Sequence, residues 1–189
     1  MKRIVILASG SGTLAQAIFD AQLPADIVAV ISDKKDAAVL DRAQKAHIET
    51  FTIPMLPDRA EWDRELETLI AALKPDLVVS AGFMRILSER ITSRFKIINS
   101  HPALLPLFPG AHAVRDALSA GANTTGATVH IVDAGVDTGP VLAQREVPVA
   151  QGISESDLHE QIKAVERVLI VDVVAEIAEG KLNLSERAN

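Results

Sequence analysis

The feature that most constrains the fold is a repeating alternation. Short, uninterrupted apolar runs rich in Val and Ile are each followed by a longer segment with helical composition. Residues 4–8 read Ile-Val-Ile-Leu-Ala, residues 26–32 Asp-Ile-Val-Ala-Val-Ile-Ser, and residues 77–80 Leu-Val-Val-Ser. Runs without polar alternation fit strands buried on both faces. Residues 14–21, 37–46 and 59–73 are the intervening helical segments, and a short stretch at 49–53 ends at Pro54. In the third segment Trp62, Leu66, Leu69, Ile70 and Leu73 share one helical face, and Lys74-Pro75-Asp76 stops it before the next strand. Strands alternating with helices require right-handed crossovers, and so a parallel sheet covered on both sides.

Past Ile97-Ile98 the texture changes. Pro102, Pro106, Pro109 and Gly110 crowd together, which excludes a regular helix or central strand and marks an irregular, functional loop. Two more strand-like runs, 127–132 and 141–147, are joined by turn residues over 133–140. A long helix is expected over about 154–180, with Ser154 as its N-cap. No internal repeat or linker divides the chain. The expected architecture is a single α/β domain over residues 1–189, an open, mostly parallel sheet flanked by helices.

Composition removes several classes of function. The net charge of −6 leaves no broad basic footprint for nucleic acid or anionic lipid, so any phosphate bound is expected to be a single small one. The absence of cysteine removes disulfides, thiol nucleophiles and the usual structural zinc sites, so catalysis must run on His, carboxylates, amides or backbone. The first apolar run breaks at Ser9-Gly10-Ser11-Gly12 before a secretory segment forms, and no run approaches membrane-spanning length. The expectation is a soluble protein of the cytoplasm.

In open α/β sheets ligands bind beyond the carboxyl ends of the strands, so the loops after Ala8, Ser80, Ile98 and Val132 are where chemistry is expected. Ser9-Gly10-Ser11-Gly12-Thr13 follows a strand and opens a helix. Its backbone N–H groups suit a phosphate, although it has neither the Lys of a P-loop nor the third glycine of a dinucleotide fingerprint. Asn99-Ser100-His101-Pro102 sets an amide and an imidazole at one sheet edge. Asn can donate to an oxygen that becomes negative and His can exchange a proton near neutral pH, a pair suited to a tetrahedral intermediate at a carbonyl carbon. A carboxylate returning to that edge would orient His101. Asp133 and Asp137 both lie in the following turn, where either is equally a turn former.

Several ordered motifs then converge. The SGSGT loop, Ala81-Gly82-Phe83-Met84-Arg85-Ile86-Leu87, INSHPALLP with PGAHA, and VDAGVDTGPV together resemble the folate-dependent phosphoribosylglycinamide formyltransferases over nearly the whole length. The resemblance implies a Rossmann-like formyltransferase fold and transfer of the formyl group of 10-formyltetrahydrofolate, a co-substrate, to the amine of 5'-phosphoribosylglycinamide in purine biosynthesis. It implies no metal, and a monomer or homodimer. The spacing of His101 and Asp137 is similar to that of the family's catalytic His and Asp, which favours Asp137 over Asp133. By the same resemblance Asn99 steadies the oxyanion and also lines the folate site, His101 acts as acid or base, and Asp137 holds His101 protonated.

The resemblance further implies that Gly12, Thr13 and Leu14 meet the ribonucleotide phosphate and Glu166 the ribose hydroxyls. Met84, Arg85, Ile86 and Leu87 line the folate pocket, with Arg59 near it. Leu14 stands where the family commonly has Asn, so only its backbone can bond there. Lys163, one turn before Glu166, is a candidate source of phosphate charge, although the two equally read as a solvated pair on a surface helix. Residues 1–98 form the nucleotide-binding half; residues 99–189 carry the catalytic loop, the folate loop and the C-terminal helix. His112 is left open, and His47, His130 and His159 receive no catalytic role.

Related readings are a formyl-folate hydrolase and a methionyl-tRNA formyltransferase, both of which carry additional domains. A reading of another class is a dinucleotide-binding module, with Asp33 after the second strand as its acidic residue. The missing third glycine and the NSHP segment argue against it.

Overall fold

The computed structural model describes residues 1–187. Seven strands form one sheet: β1 (Lys2–Leu7), β2 (Ala25–Ser32), β3 (Thr50–Thr52), β4 (Leu77–Ser80), β5 (Ile97–His101), β6 (Thr124–Ile131) and β7 (Val141–Pro148), in the order β3-β2-β1-β4-β5-β6-β7. The first five are mutually parallel, whereas β6 runs antiparallel to β5 and β7 antiparallel to β6. The chain builds outward from β1 to β3, then returns to the other side of β1 with β4. The loops after β1 and β4 therefore flank a switch point in strand order, where α/β sheets open a crevice.

Helices cover both faces. α1 (Thr13–Asp20), α2 (Ala38–Lys45), α5 (Ala113–Ser119) and α6 (Glu155–Ala178) bury residues in one core with Ile4, Ile6 and Ile98, and the short α7 (Leu184–Arg187) adds Leu184. α3 (Arg59–Leu73) and α4 (Glu89–Thr92) pack on the other face with Val5, Leu7 and Ile97. Neighbouring residues of each central strand thus enter opposite cores, which is why the runs read as continuously apolar.

The expected elements appear with shifted ends. The run at 49–53 contracts to β3, the strand expected at 127–132 begins earlier, and the long helix ends at Ala178. Ser154 caps α6 as anticipated, its Oγ accepting from the Asp157 N–H at 3.0 Å. The Asp58 carboxylate caps α3 in the same way, accepting from the Ala60 N–H at 2.8 Å. Within α3, Trp62 is fully buried and its Nε1–H donates to the Ile53 carbonyl at 3.0 Å. Truncating it to Ala would cost about 3–5 kcal/mol. The segments that form α4 and α5 gave no helical signal, being short and flanked by Pro, Gly and Ser.

Candidate active site

β5 ends in Ile97-Ile98-Asn99-Ser100-His101, and strand periodicity divides these side chains. Asn99 and His101 face the side of Ile97, whereas Ser100 faces the side of Ile98 and α6. β6 places His130 directly opposite Asn99 and Thr128 opposite His101. On the first side the Asn99 Nδ2 lies 3.2 Å from His130 Nε2. Asp137 closes the group, with Oδ2 at 3.3 Å from His101 Nδ1 and Oδ1 at 3.5 Å from His130 Nε2.

Each member is held. Asp137 sits at φ 54°, a left-handed conformation that Asp adopts more readily than most residues, and its Oδ2 accepts from the Gly110 N–H at 2.8 Å. Burial pushes its carboxyl up, but the His130 ring, the Gly110 N–H and the neighbouring imidazoles outweigh this and hold it below the ordinary value. His101 is buried, and its Nε2 lies 2.8 Å from the Phe108 carbonyl of the Pro-rich loop. A carbonyl only accepts, so Nε2 carries the proton, while Nδ1 faces a carboxylate. The imidazolium is the form that donates at both nitrogens. His130 Nδ1 likewise donates to the Ile131 carbonyl at 2.9 Å. Its Nε2 then accepts from Asn99 when neutral, or donates to Asp137 when protonated.

Asp133 does not join this group. Its Oδ1 accepts from the Gly135 N–H at 3.0 Å and the Thr138 hydroxyl at 2.7 Å, the pattern of a turn former. Thr128 shapes the loop that follows His101. Its hydroxyl donates to the Ala103 carbonyl at 2.6 Å and accepts from the Leu105 N–H at 3.0 Å.

The group opens into a cavity of about 480 Å³. Its far wall is Phe83, Met84, Arg85, Ile86 and Leu87, all contributed by the loop after β4. Two bonds tie this wall to the loop after β1: the Ser9 N–H donates to the Gly82 carbonyl at 3.1 Å, and the Met84 N–H to the Ser9 hydroxyl at 2.8 Å. Arg59 does not line the cavity; it lies over the Trp62 ring and donates to the Ile86 carbonyl, so it braces the wall from behind. His112 and His159 also line the cavity, at its α5 and α6 side.

Of the expected ribonucleotide residues, Gly12, Thr13 and Leu14 lie at the start of α1, and Glu166 and Lys163 lie on α6, against which α1 packs. Gly12 is the N-cap of α1 at φ 73°, and a Cβ there would come within 2.6 Å of Val39 Cβ. Only glycine fits both the conformation and the approach of α2. Thr13 and Leu14 begin the helix, whose positive end is free of acidic side chains. Glu166 is 4% exposed and its Oε1 accepts from the Ser100 hydroxyl at 2.7 Å. Burial raises its carboxyl above the ordinary value, against the Ser100 hydrogen bond and the attraction of Lys163 and Arg167. Lys163 meets Glu160 at 2.9 Å.

Reading the sequence missed His130. The available signal was one polar, titratable residue inside an otherwise apolar strand, and nothing local showed that it stands opposite Asn99.

The fold and this edge define a class of group-transfer proteins. The family model for formyl transferase matches residues 2–174, and the chain belongs to that family. Among its relatives, phosphoribosylglycinamide formyltransferase of Mycobacterium tuberculosis (strain ATCC 25618 / H37Rv) is 51% identical, covering 93% of this chain and 85% of the relative. The enzyme of the same name from Escherichia coli (strain K12) is 41% identical over 98% of this chain and 91% of its own length. The crystal structure of glycinamide ribonucleotide transformylase 1 from Symbiobacterium toebii superposes with a TM-score of 0.94 at 40% identity, covering 99% of this chain and 92% of that one.

Proposed function

We propose that the chain is a phosphoribosylglycinamide formyltransferase. It transfers the formyl group of 10-formyltetrahydrofolate to the amine of 5'-phosphoribosylglycinamide, giving the formylated ribonucleotide and tetrahydrofolate in purine biosynthesis. The observation that carries the reading is the convergence of Asn99, His101 and Asp137 at the rim of a cavity whose far wall is the Phe83–Leu87 loop.

The amine nitrogen attacks the formyl carbon and the carbonyl oxygen takes up the electron pair. Asn99 Nδ2 and the His101 N–H, held by the Phe108 carbonyl before substrate binds, stabilise that oxyanion. The bond from carbon to N10 of the folate then breaks. The proton lost by the amine reaches N10 through His101 or water, with Asp137 keeping the imidazolium in place. Every charge and proton is handled by these groups and the two substrates, so the scheme uses no metal.

The first half, residues 1–98, supplies the phosphate loop at Gly12, Thr13 and Leu14 and the folate wall, braced by Arg59. The second half, residues 99–189, supplies the catalytic loop together with Glu166 for the ribose hydroxyls and Lys163 for added positive charge. The packing of α1 on α6 supports the use of Gly12, Thr13, Leu14 and Glu166 by one ligand. The site of reaction is the cytoplasm; among the described residues no helix is long and apolar enough to cross a membrane.

The test is spectrophotometric release of folate product from a formyl-folate, with and without phosphoribosylglycinamide. Turnover that requires the amine is the expected result. Turnover without it would make the protein a formyl-folate hydrolase.

A further inference from the structure

Asp33 follows β2 directly, at the carboxyl edge of the sheet, and the transfer chemistry has no use for it. Its side chain is completely buried, and its Oδ2 accepts from Arg85 Nε at 2.6 Å. Arg85 is one-third exposed and lines the cavity. The second carboxylate oxygen, Oδ1, is buried with no hydrogen-bond partner. A buried carboxylate with one oxygen unsatisfied is a poor source of stability, because its desolvation offsets much of the attraction. The pair does have a geometric consequence. Three loops meet here, and Asp33 is the point at which the loop after β2 grips a side chain of the cavity wall. The backbone of that wall is secured by Ser9 at the Met84 N–H and by Arg59 at the Ile86 carbonyl, whereas the Arg85 guanidinium bonds Asp33.

We propose that Asp33 is a positioning residue for the formyl-folate co-substrate. It fixes the Arg85 guanidinium against the cavity wall and neutralises its charge, so that the folate meets a preset surface. The inference rests on reading this cavity as the formyl-folate site. The acidic residue that in a dinucleotide-binding protein would meet a ribose acts in this chain through an arginine.

The test is a cycle of Asp33→Asn, Arg85→Gln and the double variant, with KM measured separately for the formyl-folate and for phosphoribosylglycinamide, beside thermal melting. Asp33→Asn keeps the shape of the side chain and removes its charge. The expected result is a rise of about tenfold in folate KM, with kcat and the ribonucleotide KM within about twofold. In the Arg85→Gln background the same change is expected to add nothing, since both act through one contact. An unchanged folate KM in Asp33→Asn, or a further rise in the double variant, overturns the proposal. If Asp33→Asn does not fold, Arg85→Gln and the double variant are compared directly, and failure of both to fold overturns the proposal in favour of a purely structural pair. A wild type without amine-dependent turnover would instead overturn the functional reading beneath it.

Discussion

The edge formed by β5 and β6 and the loop after β1 both lie at the opening of the sheet, yet they are built from different parts of the chain. At the edge, side chains do the work and hold one another: Asn99, His130, Asp137 and His101 form one connected set. At the loop the backbone does the work. Gly12 has no side chain, Thr13 and Leu14 offer N–H groups at a helix start, and α2 supports the loop through the Val39 N–H to the Gly10 carbonyl and Arg42 Nε to the Ser11 carbonyl. The contrast teaches that substitution should separate chemistry from architecture. Changes at the edge are expected to remove rate and leave the fold, whereas changes at the loop are expected to disturb the fold and substrate affinity and leave the chemical step.

The largest effect is expected at the edge. His101→Ala and Asp137→Ala should each lower kcat by about 10²–10⁴-fold, with the melting temperature lowered by only a few degrees and the KM for phosphoribosylglycinamide little altered. The double variant should be little worse than His101→Ala alone, because the two act as a unit. Steady-state kinetics beside thermal melting checks this. A loss of folding comparable to the loss of rate would break the comparison.

A smaller effect is expected at the loop. Gly12→Ala forces a positive-φ residue and a Cβ within 2.6 Å of Val39, and should destabilise the protein by about 1–3 kcal/mol. The ribonucleotide KM should rise while single-turnover transfer at saturating substrate stays close to wild type. Adding Val39→Ala should recover little of the stability, because it removes the Cγ2 contact but keeps the Val39 Cβ and Cα positions that crowd residue 12 at 2.6 and 2.8 Å. An unchanged KM would mean that the loop takes no part in binding.

The smallest effect sharpens the comparison through pH. Glu166 is raised by burial, so the folded state holds its proton more tightly than the unfolded chain, whose carboxyl titrates near 4.5. Its contribution to stability is whole below that value and is lost as pH rises through the raised folded value. Asp137 has the opposite sign: its contribution is present above its ordinary 3.8 and is lost as pH falls through the lowered one. Glu166→Gln should therefore flatten the fall in melting temperature above about pH 4.5, by a few degrees at most. A pH–melting profile parallel to wild type would contradict the assignment.

Much of this could be read along the chain, and what escaped has identifiable causes. The continuous Val and Ile runs implied strands buried on two faces, and the two cores confirm it. The same runs say nothing of strand direction, because a strand buried on both sides has the same pattern in either orientation. β6 lies antiparallel to β5, a direction that its apolar pattern does not carry. The NSHP segment was legible because its residue types carry chemistry wherever they lie. His130 and Asp33 were not, because their meaning depends on what stands opposite them.

By itself the sequence determined the alternation of elements, the helix start at the glycine-rich loop after β1, and the presence of Asn99, His101 and Asp137, since periodicity and residue chemistry are local properties. Only the tertiary structure decided that Asp137 and not Asp133 reaches His101, that His130 joins Asn99, that Arg59 braces the cavity wall from behind, and that Asp33 holds Arg85. Those are contacts between residues distant along the chain, and their distances depend on register, loop path and packing.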